Sequence, residues 1–364
     1  MAVSGEASTA GRSPVNLPSH SEIRDSTEKA FGLRPCLWQI KVTEAILRRD
    51  RDVVSIAGMG MGKTLTFWMP LLFRPKNSLQ IIVTPLNLLG MQNVQALKKA
   101  GYKAILICAD TATHENFQVR LYFLSIQCSQ ISCQSQAIVN LDYQGIIITP
   151  EQLMKPGGGF EHLVKNAHFT SHITSVIFDE AHCISTWGSF CSEYKEVGRL
   201  RYMLPAEIPI MITTATLPPL IFDDIKNTLQ LRPEKLTVIH RSSDRPNINI
   251  VVRPIQHPLN SFADLKFLLC DWKVGGSPPP KFLIFFDNIN EAVRACQYFH
   301  SLIPVEYRDK FIWFNSDMSA SFKDKEASRL MHGDSWGMFT TESFGMVSEV
   351  IYLDMYTISY GCRV

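Results

Sequence analysis

The stretch that most constrains this chain is Ala57-Gly58-Met59-Gly60-Met61-Gly62-Lys63-Thr64. The apolar run Val53-Val54-Ser55-Ile56 ahead of it reads as a buried strand, and Leu65-Thr66-Phe67-Trp68-Met69 behind it as the start of a helix. Strand, glycine loop, Lys-Thr and helix, in that order, make a phosphate-binding loop. Glycines let backbone N–H groups close around phosphate oxygens, and a helix N-terminus adds positive potential. The expected nucleotide contacts are Gly60, Met61, Gly62, Lys63 and Thr64. Lys63 would reach the β- and γ-phosphates, and the Thr64 hydroxyl would hold Mg2+. A chance glycine-rich turn is the competing reading, and the rest of the chain counts against it.

Around that loop the sequence alternates strands and helices. Apolar runs at residues 80–84, 104–107, 145–149, 175–178 and 208–213 are separated by helical patterns, which implies a parallel α/β sheet. Ligands of such sheets sit at the carboxyl ends of the strands. The polar clusters fall there: Thr84-Pro85, Thr149-Pro150-Glu151, Asp179-Glu180-Ala181-His182 and Thr214-Ala215-Thr216. Asp179 is the expected second Mg2+ ligand, and Glu180 the group that orients and deprotonates an attacking water. Helix capping is the other use of two acids at a strand end. Gln39, just upstream of the loop, has the donor and acceptor needed for an adenine edge, although an arbitrary Gln more often faces solvent.

Composition sets outer bounds. A chain of 364 residues is expected to form two domains, and 46% hydrophobic with 19% charged residues is the balance of a soluble globular protein. No apolar run is long enough to span a bilayer, so no membrane partner is expected. Residues 1–20 read as a disordered tail with no secretory signal. A net charge of +2 gives no global pull on nucleic acid, so any such binding must come from a local groove. Nine cysteines without a C-x-x-C pair indicate neither a zinc site nor a disulfide framework.

Together these residues resemble a superfamily-two helicase, and specifically the RecQ family. The resemblance rests on Asp179-Glu180-Ala181-His182-Cys183-Ile184-Ser185-Thr186-Trp187-Gly188, joined by Ala57 to Thr64, Val83-Thr84-Pro85-Leu86, Thr149-Pro150-Glu151 and Asp244-Arg245-Pro246-Asn247. It covers roughly residues 31–346. It implies tandem RecA-like P-loop domains with parallel sheets: the first over residues 21–240, the second, incomplete, over 241–364. The implied activity is ATP-driven 3′ to 5′ unwinding of single-stranded or partly duplex DNA, in the nucleus, with oligomeric state left open. His182, Thr214 and Thr216 would couple nucleotide to nucleic acid, although isolated threonines more often form strands or caps. Thr84, Pro85 and Thr149 match positions touching the DNA backbone, and Trp187 and Phe190 lie on the aromatic-rich loop. Exposed hydroxyls reach phosphates and aromatics stack on bases, while a core aromatic is the other use of Trp187.

Two segments depart from the family pattern. Residues 119–136 insert Ser/Gln/Cys-rich sequence between the third and fourth strands, and residues 347–364 diverge where a motif with two arginines is expected. Each reads equally as a translated intron or as a surface insertion and a divergent tail. Glu342 stands where the family has Asp. Arginines at such sites are worth about 10³–10⁵-fold in rate. The alternative to a working helicase is therefore a module that binds ATP and DNA without productive unwinding. The second domain is expected to open with a strand at residues 248–252 and to continue with strands at 281–286, 310–314 and 336–341.

Overall fold

The computed structural model describes residues 17–85, 87–109, 138, 141–188, 193–244, 248–341, 344 and 356–360. The chain divides into two compact units, Met1–Pro246 and Asn247–Val364.

The first unit is built on seven parallel strands: β1 (Asp52–Ile56), β2 (Leu79–Val83), β3 (Ala104–Ile107), β4 (Gly145–Ile148), β5 (Ile173–Phe178), β6 (Ile210–Thr214) and β7 (Leu236–His240). Their order across the sheet is β3-β4-β2-β5-β6-β1-β7. The central strands are near-continuous apolar runs because helices cover both faces. Their residues alternate between two cores. Val54, Ile81, Ile146, Val176 and Ile212 join one, with Phe160, Phe169 and Leu200 from the helices on that side. Val53, Ile82, Ile147, Ile177 and Met211 join the other, with Trp38, Val42, Ala45 and Ile46. Full burial of each such aliphatic side chain contributes about 1.5–3 kcal/mol.

Helix α1 (His20–Phe31) starts with a reciprocal cap between Ser19 and Glu22 and ends at Gly32, whose φ of +67° suits glycine. Helix α2 (Leu37–Arg48) leads into β1. Helix α3 (Leu65–Trp68), after the glycine loop, is a single turn and continues as 3-10 structure over Met69–Phe73. The sequence marks the reason: Pro70 has no N–H to donate to the preceding turn.

The second unit is a parallel four-stranded sheet in the order β11-β8-β10-β9, formed by β8 (Phe282–Phe285), β9 (Phe311–Phe314), β10 (Gly337–Thr340) and β11 (Tyr356–Ser359). Its core is rich in phenylalanine: the Phe299 and Phe339 rings meet edge to face at 4.9 Å, and Phe282 stacks on Phe311 at 5.8 Å.

Three sequence expectations change here. Residues 248–252 form no strand: Ile250, Val251 and Val252 are exposed, and β-propensity without a ladder partner makes no strand. Strand β7, absent from the sequence reading, pairs along the whole of β1, from Asp52 with Leu236 to Ile56 with His240. Within the divergent tail, Tyr356–Ser359 pairs in register with Phe282–Phe285. The next residue, Tyr360, is buried, its N–H donating to Phe285 O at 3.0 Å and its hydroxyl to Leu259 O at 3.2 Å. That part of the tail behaves as sheet-forming sequence. The insertion at 119–136 lies outside the described residues.

Candidate active site

The strand order places β2, β5, β6 and β1 side by side, so the segments following their carboxyl ends line one edge of the sheet. The glycine loop leaves β1 there, with Ala57 N–H donating to Thr214 O at 3.2 Å. Gly60 and Gly62 both take φ of +78°. Gln39 is buried beneath the loop. Its Oε1 accepts from Cys36 N–H at 2.7 Å and its Nε2 donates to Gly62 O at 2.9 Å. The amide expected to meet an adenine edge thus holds the loop itself in this structure. A Cβ on Gly62 would lie 2.7 Å from Gln39 Nε2. Gly62→Ala therefore meets both an occupied space and a left-handed backbone costing about 1–2 kcal/mol. Affinity for a fluorescent ATP analogue is expected to fall roughly tenfold, and an unchanged affinity would show that neither feature shapes the loop.

After β5, Asp179 N–H donates to Val83 O at 2.9 Å and Ala181 N–H to Thr213 O at 2.9 Å, which pins the acidic turn between its neighbours. Glu180 between them takes φ of +45°, a conformation uncommon for a side-chain-bearing residue and concentrated at functional sites. Its Oε1 is 3.9 Å from Lys63 Nζ and its Oε2 is 3.3 Å from His182 Nδ1. The same Nδ1 is 3.0 Å from Thr214 Oγ1, whose hydroxyl donates to Thr216 O at 3.0 Å. One continuous polar chain thus runs from the glycine loop to the end of β6.

The two acids are held differently. Burial, then the neighbouring Glu180 charge, push the Asp179 carboxyl above its ordinary range, and Lys63 only partly offsets this. Burial would also raise Glu180, but the hydrogen bond from His182, the charges of Lys63 and His182, and the Ala215 N–H hold it below its usual value. Two adjacent carboxylates in so dry a place favour a cation beside them. Among the described residues no group of three or more His, Cys, Asp or Glu side chains could hold a metal. The donor set suits Mg2+, which is commonly held by one or two protein oxygens and otherwise by substrate phosphates. Thr64, exposed at the start of α3, and Asp179 are the residues that fit it.

Other expected site residues are placed less favourably. Thr84 and Thr149 are buried, and the Thr84 hydroxyl has no hydrogen-bond partner among the described residues. The expectation of exposed hydroxyls at these two positions is not met, because each follows directly on a fully buried strand. Pro85 is half-buried and Thr216 exposed. Trp187 is half-buried against the first core, edge to face with Tyr194 at 6.4 Å. Phe190 and Glu342 lie outside the described residues. The sequence reading missed the Ala215 N–H donor to Glu180, since a backbone donor leaves no trace in residue type.

Comparison with known proteins agrees with this geometry. The DEAD/DEAH box helicase family matches residues 37–224, just over half of the chain. ATP-dependent DNA helicase hus2/rqh1 of Schizosaccharomyces pombe is 27% identical over 207 residues, which is 56% of this chain and 14% of that protein. ATP-dependent DNA helicase RecQ of Haemophilus influenzae is 28% identical over 260 residues, 71% of this chain and 36% of that one. The chain thus spans well under half the length of these curated relatives. Among solved structures, DUF1998 helicase MrfA bound to DNA matches with a TM-score of 0.67 at 12% identity, over 94% of this chain and 44% of its own. At that identity the likeness shows the fold, in which two parallel α/β units correspond to tandem RecA-like helicase domains. With a glycine-Lys-Thr loop, an Asp-Glu-Ala-His turn and a sheet that sets them side by side, the chain belongs to the DEAD/DEAH box helicase family.

Proposed function

We propose that this chain is the ATPase core of a RecQ-type DNA helicase that couples ATP hydrolysis to 3′ to 5′ strand separation. The observation that carries the reading is the unbroken path Lys63–Glu180–His182–Thr214–Thr216. It joins the phosphate loop to the strand end from which a nucleic-acid response would have to return. The similarity to the RecQ and hus2/rqh1 helicases, over 71% and 56% of this chain, supports DNA as the polymer.

In this reading Lys63 binds the β- and γ-phosphates and Gln39 keeps the loop open for them. Glu180, held by His182 so that Oε1 faces the Lys63 side, orients the attacking water and takes its proton. Thr64 and Asp179 would hold Mg2+, which when bound supplies neutralisation of phosphate charge. His182 and Thr214 transmit the state of Glu180 toward Thr216. DNA contact falls to Pro85, Thr216 and the loop bearing Trp187 and Phe190.

The test is ATP turnover with and without single-stranded DNA, followed by unwinding of duplexes with 3′ or 5′ tails. Turnover is expected to rise with DNA, to vanish in Lys63→Ala, and unwinding to require the 3′ tail. Stimulation by RNA alone, or unwinding from 5′ tails, would remove the RecQ-type assignment while leaving the family intact.

A further inference from the structure

Asp179 lies in a buried polar row that the path from Lys63 to Thr216 does not use. Val83 pairs with Phe178, and Phe178 with Ile212, so one residue further along Thr84, Asp179 and Thr213 stand abreast at the ends of β2, β5 and β6. Ser55 on β1 is the register partner of Thr213. Two residues earlier on the same strands are Ile82, Ile177, Met211 and Val53, all in the core that also takes Ala57 and Phe67 from either side of the glycine loop. Residues two apart share a face of a sheet, so the row lies on the glycine-loop side. Ser55, Thr84 and Thr213 are fully buried, and none of their hydroxyls has a hydrogen-bond partner among the described residues. Such groups are rare in a folded protein and call for an acceptor. Asp179 has one to offer: among the described residues its carboxylate accepts only the Glu180 N–H, on Oδ1 at 3.0 Å.

We infer that Thr84 and Thr213 are positioning residues: they flank Asp179 and donate their hydroxyls to its carboxylate, fixing its orientation toward Mg2+. In this structure neither bond is made, and rotation of each threonine about χ1 makes it. Neighbouring strands are about 4.8 Å apart, so a hydroxyl on Cβ comes within reach of a carboxylate on the adjoining strand. A carboxylate only accepts, and each hydroxyl brings it one proton. Hydrogen bonds to an ionised oxygen are short and strong for hydroxyl donors. Held from both sides, the carboxylate keeps one orientation, as a metal ligand requires. Ser55 stands two strands away, about 10 Å, and cannot reach it. This inference rests on the reading of Asp179 as a Mg2+ ligand and adds the groups that hold the ligand in place.

The probe is Mn2+, titrated by electron paramagnetic resonance in the presence of a non-hydrolysable ATP analogue. Thr84→Val and Thr213→Val keep the side-chain shape and remove the hydroxyl. Each is expected to weaken Mn2+ binding about tenfold, the low end for losing an outer hydrogen bond to a metal ligand. Thr84→Ser and Thr213→Ser keep the O–H and should bind Mn2+ as wild type does, and so should Ser55→Ala. Without metal, the valine variants are expected to melt no lower than wild type, since a hydroxyl with no partner adds nothing to stability. A lower midpoint there would show the hydroxyls already in use and overturns the inference. Unchanged Mn2+ affinity in the valine variants overturns it as well. So does equal loss in valine and serine variants, or in Ser55→Ala, because the row would then act by packing. Asp179→Asn separates the two readings. If it binds Mn2+ as wild type does, the Mg2+ reading of Asp179 falls and this inference with it. If it loses Mn2+ while the valine variants do not, only this inference falls. Loss of DNA stimulation or of the 3′-tail requirement overturns the proposed function and leaves these affinities standing.

Discussion

Glu180→Gln is expected to lower ATP turnover by roughly 10²–10⁴-fold, the contribution of a positioned general base, while ATP affinity stays within about twofold because the change acts in the transition state. Gln keeps the length and shape of the side chain, and its carbonyl oxygen can still accept from His182 Nδ1, 3.3 Å away in the native site. What it cannot do is take a proton from water. The substitution also removes the negative charge that helps push Asp179 upward, so Asp179 becomes easier to ionise and Mg2+ binding should not weaken. Phosphate release measures turnover, and titration with a fluorescent nucleotide measures binding. Loss of binding together with turnover would make Glu180 a structural acid and end the base assignment.

Asp52→Asn is expected to destabilise the first unit by about 3 kcal/mol, within the range for breaking a buried ion pair. Asp52 opens β1 and is fully buried. Its carboxylate accepts from Arg201 Nη2 at 2.8 Å, from Arg232 Nη2 at 2.9 Å, Nε at 3.0 Å and N–H at 3.0 Å, and from Ile210 N–H at 2.9 Å. One side chain thus ties β1, β6 and the entry to β7 together. Asn would remove the charge and turn an N–H2 group toward donors. The loss stays at the low end because Arg201 and Arg232 are 12% and 25% exposed and regain some water. For a unit of this size the midpoint of thermal unfolding should fall by roughly 6–12 °C. A fall under about 1 kcal/mol would mean the cluster merely fills space.

The same carboxylate gives a pH dependence. Burial would raise Asp52, but the Arg232 side chain, the two backbone N–H groups and the Arg201 charge outweigh it and hold it below its ordinary value. A depressed native pKa contributes stability that is fully present above the unfolded value of about 4. That contribution is lost as pH falls through the native value. Acid unfolding of the wild type should therefore be steeper below pH 4 than that of Asp52→Asn.

Local chemistry alone determined the nucleotide-binding character of this chain. Met59-Gly60-Met61-Gly62-Lys63-Thr64 after a buried strand, and Asp179-Glu180-Ala181-His182 after another, are legible because phosphate and metal binding demand particular residue types at fixed spacing. The parallel α/β class followed from apolar runs separated by helical periods, since side-chain periodicity is a property of each segment by itself.

Tertiary structure decided everything that depended on neighbours distant in sequence. Residues 248–252 have strand composition and no partner, whereas Leu236–His240 becomes a strand because β1 offers it an edge. Gln39 lies under the loop because Gly62 O and Cys36 N–H complete its hydrogen bonds. Thr84 and Thr149 are interior because the strands before them are central. Asp52 matters through contacts made only after folding, with residues no motif joins to it. A hydrogen bond needs two groups within about 3 Å at the right angle. Residue type announces the donor, and only the packed chain chooses the acceptor.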